Sequence, residues 1–453
     1  MNKKLDLMRE GKMSRALITL SLPSIIGVLI TSVYNFTDAL FVGKISTAAI
    51  SATTIIYPLV TLLPAIGLLF SNGASAYISE MLGANDKDKA EKILASSIAY
   101  TLITSLIIQV LILILMNPLL RMLGASETTF LLAKEYGTYV IGGGILQILA
   151  VSLANLVRSE GAVNLSMYSQ LLGAILNIIL NPIFIFTFDL GLGGAAIATL
   201  ISQGISVLLL IHHYISKKSY LRLSIKNVSF SKEIFNPIIL IGLPMFSTFI
   251  FQSIAIALLN KFSSMYGDST IAAIGIVSKL CSIPTLAITG FSRGYQNIVA
   301  FNYGANNLER VKESTKLAIM WSTAFGIIAS IAQVVFSKPL IRLFTSEFDV
   351  ISIGSTALIA NSILLFTFGF QTIYLVLMIS TGRKKSGLFL SLGRQGIFFI
   401  PILLIFSKLF GLNGIFFTQA GADILTTFAT FIVFKISLSK NMTRVETYSG
   451  VES

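Results

Sequence analysis

The sequence predicts an all-α, polytopic membrane protein of twelve transmembrane helices, because of its composition, its uncharged runs and the placement of its charges. The chain has 453 residues, of which 54% are hydrophobic and only 12% charged, and its mean hydropathy is +0.83. A soluble protein carries roughly twice that fraction of charge. Uncharged apolar runs of about 18 residues or more recur from end to end, as spanning helices require. The alternation with period two that marks a membrane β-barrel is absent from the sequence.

The twelve predicted helices follow the uncharged runs in chain order. The first begins at Arg15 and ends before Lys44. We interpret it as a retained helix and not as a signal peptide, because the run is long and lacks a small-residue cleavage site. The predicted spans are 15–42, 48–80, 91–116, 127–157, 162–188, 191–214, 234–262, 270–302, 308–337, 348–380, 386–407 and 411–435.

Basic residues are distributed unevenly between the two sides of the membrane that these spans define. About 23 Lys and Arg residues lie in the two chain termini and the even-numbered loops, whereas about 7 lie in the odd-numbered loops. Since cytoplasmic loops are enriched in Lys and Arg, both termini are predicted to be cytoplasmic. The net charge of +13 therefore reflects membrane topology, not nucleic-acid binding.

The residue types needed for covalent or metal chemistry are scarce in this sequence. Cys281 is the only cysteine, so no disulfide framework exists, and the adjacent His212 and His213 have no partners for a metal site. The sequence contains no HExxH motif, no plausible pair of nucleophile and base, and no phosphate-binding loop. We therefore expect neither an enzyme nor a bound cofactor.

An internal repeat divides the chain into two halves. The stretch "LGANDKDKAEKI" at 82–93 resembles "YGANNLERVKES" at 303–314, at a shift of 221 positions. The same shift pairs Pro23 with Pro244, Gly73 with Gly294, Pro118 with Pro339, Arg121 with Arg342, and Gly161 with Gly382. Each half then holds six helices, and an even number makes the halves parallel repeats about an axis along the membrane normal.

These repeats define the predicted domains. The N-terminal six-helix bundle covers 1–214 and the C-terminal bundle covers 234–438, with a cytoplasmic linker at 215–233 between them. A cytoplasmic tail at 439–453 follows. Two such bundles are typical of transporters that work by alternating access, although a fold alone does not determine function.

One carboxylate lies inside the first predicted span. Asp38, in "SVYNFTDALFVGK" at 32–44, is the only charge within that run of apolar and neutral residues. Burial of a charge at membrane depth is costly, so we expect a functional role for it. Tyr34 and Asn35 lie four and three residues earlier, on the same helix face, and are candidates for lining a cavity.

Two further polar clusters come from the fifth and sixth predicted helices. Asn177 and Asn181 in "LNIILNP" are four residues apart, and so are Thr199 and Gln203 in the next helix. Carboxylate, amide and hydroxyl oxygens suit a small hard cation. They equally suit a carboxyl group that exchanges a proton, because burial disfavours its charged form. The asparagines could instead only join neighbouring helices through hydrogen bonds, an alternative that the spacing leaves open.

Several stretches resemble the multidrug and toxic compound extrusion (MATE) family of cation-coupled exporters, over nearly the whole chain. They are "YNFTDALFVG", "SNGASAYISEMLGAND", "LNIILNPIF", "GLGGAAIAT" and "GFSRGYQNIVAFNYGAN". The last of them is most similar to the bacterial subgroup that includes the staphylococcal multidrug exporter. The resemblance implies a transporter of two facing six-helix bundles.

The resemblance also implies a cation-coupling site in the N-terminal half. Asp38 matches the aspartate of the family's first helix, Asn177 an asparagine of the fifth, and Thr199 a threonine of the sixth. Pro23 matches a first-helix proline whose bending is linked to coupling, so it is the implied hinge. Asn181 stands where many members have a second aspartate, which leaves one carboxylate for one monovalent cation or one proton.

The C-terminal half lacks the carboxylates that other branches of the family use. Gln252 stands near the position where the seventh helix would carry glutamate, and it is a candidate for lining the cavity. Asp423 in the last helix either attracts a cationic substrate or pairs with a basic residue of the C-terminal helices. The candidate partners are Lys279, Arg293 and Arg394.

These residues predict a secondary active multidrug exporter in a bacterial cell membrane. Lipophilic or cationic compounds would leave the cell in exchange for inward H⁺ or Na⁺, and we expect a monomer without a cofactor and without nucleic acid. If Na⁺ is the coupling ion, its expected ligands are Asp38, Asn177, Asn181 and Thr199. An alternative is a flippase for lipid-linked saccharides of the same superfamily, in which the basic residues at 279, 293 and 394 would hold a pyrophosphate.

Overall fold

The protein is helical throughout the part of the chain that the structure describes. The computed structural model describes residues 3–45, 47–123, 125, 127–216 and 219–449, and all regular elements within these ranges are helices. The apolar runs favour this outcome, because a backbone at membrane depth must satisfy its own hydrogen bonds.

The helices are numbered α1 to α17 in chain order. They are α1 (Lys3–Arg9), α2 (Met13–Gly43), α3 (Thr47–Gly83), α4 (Lys87–Ile114), α5 (Met116–Met122), α6 (Glu127–Gly142), α7 (Gly144–Ser159), α8 (Val163–Pro182), α9 (Gly191–Ile215), α10 (Lys232–Ser264), α11 (Asp268–Gly304), α12 (Leu308–Val335), α13 (Ser337–Arg342), α14 (Phe348–Ser362), α15 (Leu365–Ser380), α16 (Lys384–Leu392) and α17 (Phe399–Ser449). Single π-helical turns at Ile183–Thr187 and Gly393–Ile397 and a 3₁₀ turn at Ile225–Asn227 complete the elements.

The described residues account for the twelve predicted membrane spans. Nine helical stretches are long and apolar enough to cross a bilayer. The pairs α6–α7 and α14–α15 add two spans, bent by 46° and 43° at their breaks. The last of the nine stretches, Lys385–Lys435, is itself divided at Gly411, whose φ of +57° and ψ of −132° are not helical. Its two parts correspond to the predicted spans 386–407 and 411–435, so the predicted fold class is confirmed.

Two of the predicted spans form bent pairs of separate helices in the described part of the chain. The predicted span 127–157 divides at Gly143, and the predicted span 348–380 divides after Ser362. Three adjacent glycines at 142–144 account for the first break, because glycine weakens a helix interior. The second break falls at Ile363 and Leu364, where the sequence has neither glycine nor proline to indicate it.

The chain folds into two compact units that differ from the two predicted halves. Unit 1 comprises Met1–Phe246 and Arg293–Ser314, and unit 2 comprises Ser247–Ser292 and Thr315–Ser453. The helices α10 and α11 each contribute one part to each unit. The six-helix halves describe the sequence repeat, and as domains they stay a prediction.

The helices of unit 1 pack around one apolar core. Helix α8 packs against α2 and α9, while α3 packs against α4, α6 and α7. The side chains that fill this core include Ile56, Leu63, Ile141, Ile148 and Leu192, all of them buried. Helix α8 thus contacts both α2, which carries Asp38, and α9, which carries Thr199.

Glycines bring α3 into backbone contact with other helices of unit 1. A Cβ at Gly73 would overlap the carbonyl oxygen of Ile238 in α10, and a Cβ at Gly83 would overlap that of Phe301 in α11. A Cβ at Gly304 of α11 would meet the carbonyl oxygen of Glu80 in the same way. These close approaches explain why the first part of α10 and the last part of α11 belong to unit 1.

The predicted linker is part of unit 1, and from residue 219 onward side chains of that unit hold it in place. Glu160 Oε2 accepts hydrogen bonds from the Ser219 hydroxyl at 2.6 Å and from the Tyr220 N–H at 3.1 Å. Glu91 Oε1 accepts the N–H of Arg222 at 3.1 Å. Both glutamates are buried, so two carboxylates fix the linker through charge-assisted hydrogen bonds.

Unit 2 has an apolar core of its own. Helix α17 packs against α14 and α15, and α15 packs against α16. The buried side chains of this core include Leu358, Leu403, Ile415, Phe416 and Ala422. The last of these lies next to Asp423, so α17 presents a carboxylate at the edge of an apolar core.

Candidate functional site

The predicted site begins with a carboxylate in the second half of α2. This helix runs from Met13 to Gly43 and carries Asp38, which is partly buried. Tyr34 lies one helical turn before Asp38 and therefore shares its face. Pro23 lies inside the same helix, where it removes one backbone hydrogen bond.

Two asparagines of α8 reach this carboxylate. Asn177 and Asn181 are one helical turn apart, and both are fully buried. The Asn181 Nδ2 donates to Asp38 Oδ1 at 3.0 Å and to Asn177 Oδ1 at 2.9 Å. Pro182 ends α8 directly afterwards, and a single π-helical turn follows. The proline therefore places Asn181 in the last turn of the helix, facing α2.

The network continues to α9 through Thr199. The Asn177 Nδ2 donates to Thr199 Oγ1 at 3.1 Å, and the Tyr34 hydroxyl donates to the same oxygen at 3.5 Å. The side chain of Gln203, one turn further along α9, also interacts with the Tyr34 hydroxyl. Three helices of unit 1 thus join Asp38, Asn181, Asn177, Thr199 and Tyr34 in one hydrogen-bonded chain.

The position of α9 depends on glycines at its start. Gly191 has φ +50°, which lets the chain reverse after α8, and Asp189 just before it has φ +52°. A Cβ at Gly194 would lie 2.6 Å from the carbonyl oxygen of Phe184, so this glycine permits the close approach of α9 to the preceding turn. The stretch "GLGGAAIAT" therefore sets the distance at which Thr199 meets Asn177.

The cluster has acceptor groups that its own hydrogen bonds do not use. The Asn181 Oδ1 is buried and has no hydrogen-bond donor among the described residues. Within the same ranges, no basic side chain forms an ion pair with Asp38. A carboxylate beside an unused amide oxygen can accept a proton or a small hard cation. The described residues contain no cluster of three or more His, Cys, Asp or Glu, so a site for a transition metal is not indicated.

The other predicted site residues lie apart from this hydrogen-bonded chain. The side chain of Asn35 lies outside the described part of the structure. Gln252 lies on α10 within unit 2, and its side chain is exposed. Asp423, also in unit 2, is fully buried and forms an ion pair with Arg394. The roles predicted for all of these residues stay predictions.

Sequence reasoning missed two residues that support the cluster. Tyr136 of α6 interacts electrostatically with both Asp38 and Tyr34. Gln170 of α8 accepts a hydrogen bond from the Thr31 hydroxyl at 3.3 Å and so ties α8 to α2. The spacing of seven residues places Gln170 on the same face of α8 as Asn177, and this signal could have found it, whereas no such spacing marks Tyr136.

Comparison with known proteins identifies the family. The family model MatE matches residues 23–183 and 244–405. The chain belongs to the MatE family. The two matched ranges begin 221 positions apart, the same shift that relates the internal repeats. The resemblance to MATE exporters that the sequence suggests is therefore confirmed.

Individual MatE relatives match along the whole chain. The multidrug export protein MepA of Staphylococcus aureus is 29% identical over 452 residues, which covers 100% of this chain and 99% of MepA. A crystal structure of MATE in complex with MaL6 has a TM-score of 0.92 at 24% identity and covers 97% of this chain and 99% of that chain. A MOP superfamily transporter from Pyrococcus furiosus has a TM-score of 0.91 at 24% identity and covers 97% of this chain and 98% of that chain.

These similarities determine the fold and the broad class of this MatE protein. Structures at this level of identity show that the chain has the twelve-helix fold of MATE transporters. The family consists of membrane transporters, not enzymes, so the chain is a multi-pass transport protein.

Proposed function

We propose that this MatE protein is a secondary active multidrug exporter of a bacterial cell membrane, with both termini in the cytoplasm. It works as a monomer and moves lipophilic, often cationic compounds outward in exchange for inward H⁺ or Na⁺. The relatives named as multidrug export proteins support this class of substrate. The excess of basic residues in the termini and even-numbered loops supports the topology.

One observation carries the proposed coupling site. Asp38 is a membrane-embedded carboxylate that has an amide donor but no ion-pair partner among the described residues. Beside it, the Asn181 Oδ1 is buried and accepts no hydrogen bond within those residues. A carboxylate with no internal countercharge becomes neutral only when it binds a proton or a cation from outside. A coupling site must bind such an ion.

Neutralisation of Asp38 connects ion binding to a structural change. Once a proton or Na⁺ is bound, the cost of moving α2 against α8 and α9 falls, because no uncompensated charge is moved through a low-dielectric region. Pro23 interrupts the hydrogen bonds of α2 and provides the point at which the helix bends. Ion and drug then favour different conformations, and each shifts the equilibrium by its difference in affinity for them.

Loss of the charge at Asp38 tests this function. We expect Asp38→Asn in proteoliposomes to lose gradient-driven export of ethidium. The variant keeps the size of the side chain, but it is always neutral and therefore cannot take up a proton or a cation. Asp189→Asn is the matched control, since Asp189 is exposed and asparagine tolerates its positive φ. Undiminished export by Asp38→Asn, at equal reconstituted protein, would contradict the proposal.

Separately imposed ion gradients identify the coupling ion. Proteoliposomes with only an inward Na⁺ gradient, and others with only an inward H⁺ gradient, are compared for ethidium export. We expect one gradient to drive export and Asp38→Asn to abolish that response. Export that neither gradient stimulates would exclude antiport.

The flippase remains the second candidate, and the structure reduces its support. Arg394, one of the three basic residues expected to hold a pyrophosphate, forms an ion pair with Asp423. Lys279 is exposed on α11. Arg293 lies in unit 1, next to Gly294. Binding of a fluorescent lipid pyrophosphate by the purified protein, without ethidium binding, would favour the flippase.

A further inference from the structure

A second polar cluster lies in unit 2, around Asp423. The Asp423 side chain is 0% exposed. Arg394 holds it by two hydrogen bonds, from Nε to Oδ1 at 2.7 Å and from Nη2 to Oδ2 at 3.4 Å. The Gln419 Nε2 adds a third hydrogen bond to Oδ1 at 3.0 Å. The carboxylate is therefore compensated by a cation of the protein itself, unlike Asp38.

Arg394 contacts an aromatic ring as well as the carboxylate. Its guanidinium carbon lies 4.3 Å from the ring centroid of Phe368, within the range of a cation–π interaction. A negative charge beside an aromatic face is the combination that binds flat organic cations. The guanidinium of Arg394 thus occupies the position beside Asp423 and Phe368 that such a compound could bind.

A neighbouring amide contributes an unused acceptor. The Gln371 Nε2 donates to the backbone carbonyl of Asp423 at 3.0 Å and to Thr427 Oγ1 at 2.9 Å. The Gln371 Oε1 is buried and has no donor among the described residues. An additional N–H group, such as that of an aromatic amine or an amidinium, would satisfy this oxygen.

The geometry of Arg394 allows its side chain to leave the carboxylate. The side chain is 18% exposed, although its partner is fully buried. It belongs to the π-helical turn Gly393–Ile397, a type of segment that is frequent at functional sites and less regular than an α-helix. A long flexible stem can carry the guanidinium toward solvent while the backbone stays in place.

The internal repeat indicates that this cluster did not arise by copying the Asp38 cluster. Under the shift of 220 positions that relates the last helices of the halves, Gln419 corresponds to Thr199, and Asp423 corresponds to Gln203. Asp38 corresponds to Leu259 at the shift of 221. Both clusters use equivalent positions of the last helix of their half. The carboxylate, however, comes from the first helix in one cluster and from the last helix in the other, so we expect the two clusters to have different roles.

We propose that Asp423, Phe368 and Gln371 form a binding subsite for flat organic cations, in which Arg394 is a built-in competitor that the compound displaces. This inference rests on the proposed export function and names its substrate class: aromatic cations that carry amine, amidinium or guanidinium N–H groups. Displacement exchanges one cation for another beside the buried carboxylate. The charge of Asp423 stays compensated throughout, so the exchange avoids the cost of a bare buried carboxylate.

Equilibrium binding of ethidium tests the subsite without any ion gradient. The purified full-length protein is titrated in lipid nanodiscs, and Nile red serves as an uncharged probe. We expect Arg394→Met to tighten ethidium binding by roughly tenfold or more, because the competing charge is gone. Arg394→Lys keeps a tethered cation and is the matched control, with an affinity near that of the wild type. Nile red binding should change in neither variant.

The double variant Arg394→Met with Asp423→Asn provides the second arm. It leaves no unpaired buried charge, so it should fold more readily than Arg394→Met alone. We expect its ethidium affinity to lie roughly tenfold or more below that of the wild type. Wild-type affinity in the folded double variant would overturn the subsite, and so would an Arg394→Met variant that folds but binds ethidium no more tightly.

Export by Asp38→Asn and the titration of the Arg394 variants together separate this inference from the proposed function. Gradient-driven export fails in Asp38→Asn if the coupling site is correct, whereas the Arg394 effect on binding needs no gradient. Loss of the Arg394 effect with normal Asp38-dependent export rejects the subsite alone. Export that does not depend on Asp38, with the Arg394 effect present, rejects the coupling site alone.

Discussion

Asn181 donates two hydrogen bonds from one amide nitrogen, and these connect two residues of the proposed coupling site. One holds Asp38 of α2, and the other holds Asn177 of the same helix. An aspartate at this position would offer a second negative charge instead of a donor. The amide therefore fixes the geometry of a site with a single carboxylate, which matches the exchange of one proton or one monovalent cation.

Asn181→Leu should weaken both stability and coupling. Leucine has a similar volume but leaves Asp38 Oδ1 and Asn177 Oδ1 without their donor. Buried acceptors that lose their partners cost about 1–3 kcal/mol. We expect a lower melting temperature in detergent and a lower rate of gradient-driven ethidium export.

The control for this variant lies on the same helix. Asn164→Leu changes the same residue type near the start of α8, where the side chain is exposed. It should leave both measurements unchanged. Equal effects of the two substitutions would mean that the contacts of Asn181 have no special part in coupling.

Side-chain spacing predicted which polar residues share a helix face, and it gave no signal for Tyr136. Asp38, Asn177 and Thr199 stand out because a polar group in an apolar helix is visible in the sequence. Tyr136 is one of 14 tyrosines, and nothing in its neighbourhood distinguishes it from a tyrosine that faces lipid. Its place beside Asp38 depends on how α6 packs, which is a property of tertiary structure.

At the level of helices, the glycine contacts of α3 hold unit 1 together. Gly73→Ala places a Cβ on the carbonyl oxygen of Ile238, and backbone cannot move aside as a flexible side chain can. We expect a loss of about 1–3 kcal/mol in the free energy of unfolding, as in other overpacked sites. Thermal unfolding of the purified variant measures it.

Gly142→Ala is the control for this substitution. No atom lies within 4 Å of a Cβ at Gly142, so the added methyl group has room. Its melting temperature should match that of the wild type. If Gly73→Ala had the same melting temperature as Gly142→Ala, α3 and α10 could move apart without loss of stability.

Glu160 should determine how firmly the linker is held. In Glu160→Gln, the acceptor of the Ser219 and Tyr220 hydrogen bonds and the partner of His213 lose their negative charge. Hydrogen bonds to charged groups are worth about 1.5–3 kcal/mol each. We expect faster hydrogen–deuterium exchange in residues 219–231, with Glu309→Gln, an exposed glutamate of α12, as the unaffected control. If the exchange rates of residues 219–231 did not change, contacts other than those of Glu160 would hold the linker.

The sequence indicated the long helices well and their interruptions poorly. Uncharged runs predict spans because lipid excludes charge along the whole length of a helix. The repeat pairs Pro118 with Pro339 and Arg121 with Arg342, and these residues lie in the short helices α5 and α13. The pairing predicted that the two segments are equivalent, but whether a bend separates a short helix from a long one depends on local packing.

For the whole molecule, the charge distribution makes a prediction about orientation that single cysteines can test. In a Cys281→Ser background, Glu309→Cys and Glu347→Cys introduce exposed thiols at the two ends of the segment formed by α12 and α13. The end of α12 that carries Glu309 is predicted to be cytoplasmic, and the loop that carries Glu347 is predicted to be external. An impermeant maleimide should label Glu347→Cys in intact cells and Glu309→Cys only after permeabilisation. The reverse pattern would invert the topology.

The composition of unit 1 has a consequence for biosynthesis. Its helix α3 packs against Ile238 and Phe301, and the second of these is synthesised only after all of Ser247–Ser292. Domains that are continuous in sequence generally fold in the order in which they are made. Unit 1 cannot do so, because its last segment, Arg293–Ser314, follows part of unit 2. The Gly83 end of α3 therefore stays without its partner until the late segment is made, whereas Gly73 can meet Ile238 earlier.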